Sequence, residues 1–215
     1  MDRKNKPSTI PISPSVPQPI VDVSDQTVAA SLPSHDSVTI NLFGATVTSW
    51  VINDPTTDSR SEQLFLSDTA KLDGSKAIRG GIPIVFPIFG PPPKDREAVR
   101  LLPQHGFARS ALWEFLGKNS SESASGKKGA DDEVKLDFGL SSAMLLNESR
   151  QKWPFDFGLV YTVTLGKGYL ETGLQVRNTS EGQTFEFQAL FHNYFRVQVS
   201  VERPANPDIV YRYSD

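Results

Sequence analysis

Apolar and polar residues alternate along much of this chain with a period of two, the spacing of half-buried strands rather than of helices. Val38, Ile40 and Leu42 alternate with polar neighbours, Gly44 interrupts them, and Ala45 to Trp50 resumes the extended pattern. Val51 to Ser61 reads as a polar turn region, followed by a short strand over Gln63 to Leu66. Val134 to Leu140 predicts another strand, and Ala143 to Lys152 has room for one or two helical turns before Pro154. Three strands then follow closely. Phe157, Leu159, Tyr161, Val163 and Leu165 share one face of the first, and Gly166, Lys167 and Gly168 supply a hairpin turn. Leu170, Thr172, Leu174 and Val176 share one face of the second. The third is expected to run from Gln183 to about Val197.

That third segment carries chemistry. Phe185, Phe187, Ala189 and Phe191 fall on one side, while Thr184, Glu186, Gln188, Leu190 and His192 fall on the other, followed by Tyr194 and Arg196. His192 thus ends a mostly polar row beside aromatic rings that can wall a pocket. Many short strands, Gly and Pro turns and little helix predict an all-β fold, an antiparallel sandwich.

Two stretches lack the pattern. Residues 1–34 are rich in Pro and Ser and read as a flexible leader, leaving residues 35–215 as a single domain. The leader has no apolar core of a secretory signal, and Asp2, Asp22 and Asp25 argue against a mitochondrial presequence. Lys118 to Asp132 is polar and of low complexity, an exposed loop between strands.

Composition narrows the chemistry. A net charge of −3 without a basic stripe speaks against nucleic acid as a partner, and no apolar run is long enough to cross a membrane. There are no cysteines, which removes disulfides, thiolate nucleophiles and cysteine metal sites and fits a cytoplasmic location. His35, His105 and His192 lack the spacing of a zinc helix, so no metal site is expected. Gly74, Ser75 and Lys76 lack the upstream glycine of a phosphate loop, which speaks against a nucleotide enzyme.

The densest stretch is Lys71 to Phe115, KLDGSKAIRGGIPIVFPIFGPPPKDREAVRLLPQHGFARSALWEF, where Arg79 and Arg109 flank the apolar run Ile82 to Phe89. Guanidinium forks there suit an anionic or oxygen-rich ligand, although each arginine equally suits loop carbonyls. Lys76, Arg96 and Arg100 read as solvated surface around them.

RGGIP, FPIFG and LPQHGFAR followed by Trp113, in this order and spacing, resemble the glucose-6-phosphate 1-epimerases (hexose-6-phosphate mutarotases) of the aldose 1-epimerase superfamily. GATVTSW, from Gly44 to Trp50, is similar to the start of that domain. The resemblance implies the large β-sandwich of the galactose-mutarotase type, with a sugar cleft on one sheet. It implies exchange of the α and β anomers of glucose 6-phosphate, with no cofactor and no metal, by a monomer whose partner is the small-molecule sugar phosphate. A histidine ending a strand is more often a hydrogen-bonded bystander. Here LFHNYFR, Leu190 to Arg196, looks like the segment around the family's catalytic histidine and assigns His192 the acid role, with Asn193 where the family usually has Thr. Arg79, Gln104 and Arg109 match substrate-binding positions, and His105 matches as a supporting residue.

The C-terminal part departs from the family. DIVY, Asp208 to Tyr211, resembles a later family segment, which makes Asp208 a candidate substrate ligand. A stretch of sheet between Val197 and about Pro204 is then missing, as are the final strands with the glutamate that serves as base. Neither Glu186 nor Glu202 is expected to replace it, so the 215-residue polypeptide is expected to be weakly active or inactive. Two other readings stand beside this one: a non-catalytic sugar-phosphate-binding module, and a mutarotase for unphosphorylated aldoses.

Overall fold

A computed structural model describes residues 17–119 and 133–197. Asp208 and Glu202 lie outside the described residues. Strands dominate, all antiparallel. Five form one sheet in the order β1 (Ile20–Val23), β2 (Thr27–Ser31), β3 (Ser37–Asn41), β4 (Thr46–Asp54) and β5 (Ser59–Glu62). A second sheet runs β10 (Tyr169–Asn178), β9 (Phe157–Gly166), β8 (Glu133–Ser141) and β7 (Glu114–Asn119). A small ribbon pairs β6 (Ile84–Val85) with β11 (Leu190–Phe191), and one short helix, α1 (Asn147–Lys152), follows a 3-10 turn at Ser142–Met144. No helix among the described residues is long and apolar enough to cross a membrane.

The period-two reading holds best in the second sheet. Val134, Leu136, Phe138 and Leu140 of β8, and Phe157, Leu159, Tyr161, Val163 and Leu165 of β9, are all buried. Opposite them lie Val28 and Ala30 of β2, Val38 and Ile40 of β3 and Val47 of β4, which gives the apolar layer between two sheets that defines a sandwich. The predicted hairpin turn falls where expected, with Gly166 opposite Tyr169 across the two-residue loop Lys167 and Gly168.

Four expectations need correction. Residues 20–31, assigned to the leader, form β1 and β2, and Val28, Ala30 and Leu32 enter the core. Their own alternation outweighs the Pro and Ser around them. Val51 to Ser61 is mostly strand rather than turn: β4 continues to Asp54, β5 starts at Ser59, and the turn is confined to residues 55–58. Glu62, at the end of β5, accepts from Ser49 Oγ and from the Trp50 and Leu64 main chains, which ties β5 to β4. The predicted loop from Lys118 gives up Lys118 and Asn119 to β7, while residues 120–132 lie outside the described residues. The strand expected over Gln183 to Val197 is regular only at Leu190–Phe191, for a reason that concerns the site.

Candidate active site

The segment after β10 follows the RGGIP motif in one constant antiparallel register. Leu190 and Phe191 pair with Val85 and Ile84, and the main-chain N–H groups of Gln188, His192 and Tyr194 donate to the carbonyls of Pro87, Pro83 and Gly81. Each of these residue pairs is the continuation of the same ladder. Pro83 and Pro87 have no N–H to return, so the ladder keeps only half of its bonds at those rungs. Gly81 turns its N–H the other way, to the Phe65 carbonyl. The prolines of the motif therefore explain why an extended strip of chain is an irregular strand.

Close packing fixes the motif loops. Phe86, Phe107, Trp153 and Phe157 form a four-ring cluster in which every pair of centroids lies 5.3–5.9 Å apart. FPIFG and HGFAR each contribute one ring, and the other two come from the end of α1 and the start of β9. Two glycines allow the backbone contacts beneath. A Cβ on Gly81 would sit 2.1 Å from the Val47 carbonyl oxygen, and one on Gly106 would sit 2.1 Å from that of Phe86, both at positive φ. The Trp113 indole N–H donates to the Ala108 carbonyl at 2.9 Å and holds the far end of the segment.

These supports gather four of the expected residues. The His105 and His192 ring centroids are 5.7 Å apart, and Tyr194 stacks on His192 at 4.8 Å. The Arg109 guanidinium donates to the Gln104 carbonyl at 2.8 Å. It also lies near enough to His105 to help hold that imidazole below its ordinary value, after the larger effect of burial. Burial lowers Arg109's own value, and the nearby Tyr194 phenol partly offsets it.

The two histidines differ. His105 donates its main-chain N–H to the Gly90 carbonyl, and its Nδ1 accepts the Gly90 N–H at 3.1 Å. A nitrogen that accepts carries no proton, so the ring is neutral with its proton on Nε2, and the Gln104 amide 3.4 Å away can accept that proton only when turned so that its oxygen faces the ring. His105 is thereby occupied in holding two loops together. His192 has no hydrogen bond from either ring nitrogen to a described residue, and the ring is half-buried between His105 and Tyr194.

Arg79 is exposed two residues before Gly81, whose carbonyl receives the Tyr194 N–H. Its guanidinium has no ion pair with a described carboxylate, and the same holds for Arg109. Arg96 and Arg100 instead pair with Glu186 and Glu97 at 3.9 and 4.0 Å on the exposed surface, as the solvated reading expects. Tyr194 was not singled out from sequence, although its place two residues beyond His192 puts both on one side of an extended segment. Phe89, whose ring lies 5.4 Å from His105, carried no signal of its own. Gln188 fixes it by accepting the Phe89 N–H at 2.9 Å.

The aldose 1-epimerase family matches residues 29–206. A Cenchrus ciliaris protein is 35% identical over 162 residues, covering 74% of this chain and 43% of its own. An Escherichia coli K12 protein is 35% identical over 136 residues, covering 63% and 38%. Both are provisionally named glucose-6-phosphate 1-epimerases. The chain thus spans less than half the length of either relative. Among solved structures, a Synechocystis sp. PCC 6803 protein superposes with a TM-score of 0.58 at 28% identity, covering 86% of this chain and 57% of that one. A Salmonella typhimurium protein, provisionally named a mutarotase, gives 0.54 at 28% identity, covering 75% and 48%. The galactose-mutarotase type of β-sandwich is the fold of these neighbours, and the chain belongs to the aldose 1-epimerase family.

Proposed function

We propose that this chain binds hexose 6-phosphates and takes part in exchanging their α and β anomers. The observation that carries the reading is the contrast between the two histidines. His105 is neutral and engaged, while His192 has both ring nitrogens unengaged among the described residues, 5.7 Å away. In the ring-opening direction His192 gives its proton to the ring oxygen as the C1–O bond breaks, and a base removes the C1 hydroxyl proton to leave the open-chain aldehyde. Rotation about the C1–C2 bond and reversal of both transfers close the other anomer. No net oxidation or covalent enzyme intermediate is involved.

Arg109 and Arg79 are the proposed holders of the phosphate and sugar oxygens, with the Gln104 amide as donor and acceptor to a hydroxyl. Two guanidinium groups without carboxylate partners among the described residues favour an ester dianion over a neutral sugar. Asp208 is a further proposed ligand of the sugar. The cytoplasm, where sugar phosphates are made and used, is the proposed place of action.

A second reading rests on a specific observation. Among the described residues, no carboxylate hydrogen-bonds to His192 or pairs with Arg79 or Arg109. Without a base the chain would recognise the sugar phosphate and turn it over slowly, as a binding module. Saturation-transfer NMR separates the readings when run on glucose 6-phosphate and on free glucose. Faster exchange of the ester alone supports the proposal. Equal acceleration of both would assign an aldose mutarotase. Ester line-broadening with no added exchange would leave binding alone.

A further inference from the structure

The end of the second sheet offers an interaction surface that the proposed chemistry does not use. β10 is ten residues long, contains no proline and no bulge, and among the described residues pairs only with β9. The other edge of that sheet is broken by a register shift between Phe115 and Gly117 of β7, and β1 and β5 are four residues each. Sheets normally protect long flat edges by such devices, and β10 has neither a bulge nor a shortened length.

The direction of its free groups follows from the hairpin. A two-residue loop makes Gly166 and Tyr169 a hydrogen-bonded pair, so the odd residues of β10 bond to β9 and the even ones point their main-chain groups outward. Leu170, Thr172, Leu174 and Val176 make no main-chain bond to any other described segment. Their side chains are half-buried on the inner face. There Leu174 and Val176 border an open apolar groove of about 350 Å³ with Phe187, Ala189, Leu190 and Phe191.

We propose that this edge pairs antiparallel with β10 of a second copy of the chain, about a twofold axis through Leu174. Pleat restricts the choice of register, because paired residues must point to the same face. An axis at Leu174 makes Leu174 face its own copy as a hydrogen-bonded pair and sets Thr172 opposite Val176. It also places Glu171 opposite the second copy's Arg177, twice by symmetry, in the closer non-hydrogen-bonded positions. Both residues are exposed, on the outer face. An axis at Gly173 would instead face Glu171 with Gln175 and leave Arg177 opposite Tyr169. Charge complementarity selects the first register, and the paired Leu174 side chains would cap the apolar groove. The sequence reading expected a monomer, and the dimer is the alternative that the test below decides.

The test is sedimentation equilibrium on the full chain over a concentration series, with Glu171→Arg, Arg177→Glu and the double exchange. The expected result is a dimer that each single reversal weakens by about tenfold or more, through two like-charge contacts, and that the double exchange restores. Because the chain has no cysteine, Leu174→Cys gives an independent reading that leaves the charges untouched. A twofold axis there places the two Cα atoms about 5.5 Å apart, within disulfide reach, so mild oxidation should link the copies. A mass that stays monomeric throughout would overturn the proposal. So would a dimer indifferent to both reversals, or one that Leu174→Cys fails to link. None of these outcomes depends on whether the sugar phosphate is turned over.

Discussion

The strip formed by Gly81–Pro87 and Gln188–Tyr194 and the hairpin formed by β9 and β10 are both antiparallel pairs, yet they are built oppositely. In the hairpin all ten residues of each strand are in register and the apolar faces alternate without interruption. In the strip two prolines remove donors, a glycine sends its N–H elsewhere, and regular pairing survives for two residues. The strip is the half that carries His192 and Tyr194. The difference teaches where each kind of order comes from. The hairpin is held by its own ladder. The strip is held by side chains and carbonyls from outside it, above all the four-ring cluster around Phe86 and the Gly81 contact with Val47. Loss of ladder bonds leaves main-chain and ring groups exposed to a ligand, and outside packing keeps them in place.

The largest expected effect comes from removing that outside support. Phe86 is fully buried at the centre of the cluster, so Phe86→Ala should cost about 3–5 kcal/mol in urea unfolding. An equally buried ring of the hairpin side, Phe138, should cost a similar amount in Phe138→Ala. Hydrogen exchange sharpens the contrast between them: Phe86→Ala should release the amides of Gln188, His192 and Tyr194 first, and Phe138→Ala should not.

Glycines give the next contrast, and its sign reverses between the two regions. Gly81→Ala puts a methyl group 2.1 Å from the Val47 carbonyl at φ +67°, and should destabilise by at least about 2 kcal/mol. Gly158→Ala, in β9, meets nothing within 4 Å, and should be neutral or stabilise by up to about 1 kcal/mol. Thermal melts of the two single variants decide it. Equal losses would remove the distinction drawn between strip and hairpin.

A smaller effect is expected with pH. Burial, with Arg109 and His192 nearby, holds the His105 imidazole below its ordinary value near 6.5. The folded state therefore binds fewer protons than the unfolded chain as pH falls through that value. His105 contributes stability that is fully present above the ordinary value and is lost as pH falls below it. The melting temperature should drop between about pH 7 and pH 5.5, and His105→Asn, whose Oδ1 takes the place of Nδ1 and can still accept the Gly90 N–H, should flatten the drop. A slope unchanged in that variant would place the titrating group elsewhere.

How much of this was legible depended on which forces act locally. The β8 and β9 faces could be read because burial on one side of a regular ladder imposes strict alternation, from Val134 to Leu140 and from Phe157 to Leu165. The family motifs could be read from residue type and order, and the expectation for His192 rests on them. The irregularity of the Gln183–Val197 strand could not, because its cause is Pro83 and Pro87 of a partner a hundred residues away in sequence. The unequal state of the two histidines was equally hidden, since it rests on the Gly90 main chain meeting His105. β1 and β2 were missed although Val28, Ala30 and Leu32 carry the period, because composition was weighed above it. Asp208 and Glu202 lie outside the described residues, so their part in the site rests on sequence alone.

The central claim is that His192 is the proton donor and His105 its neighbour in support. The most direct measurement is the α-to-β exchange rate of glucose 6-phosphate by saturation transfer, with this chain, with His192→Ala and with His105→Gln, each checked for native circular dichroism. The account predicts a weak acceleration by this chain that is abolished with His192→Ala and mostly kept with His105→Gln. Acceleration that survives His192→Ala and disappears in folded His105→Gln would contradict the assignment.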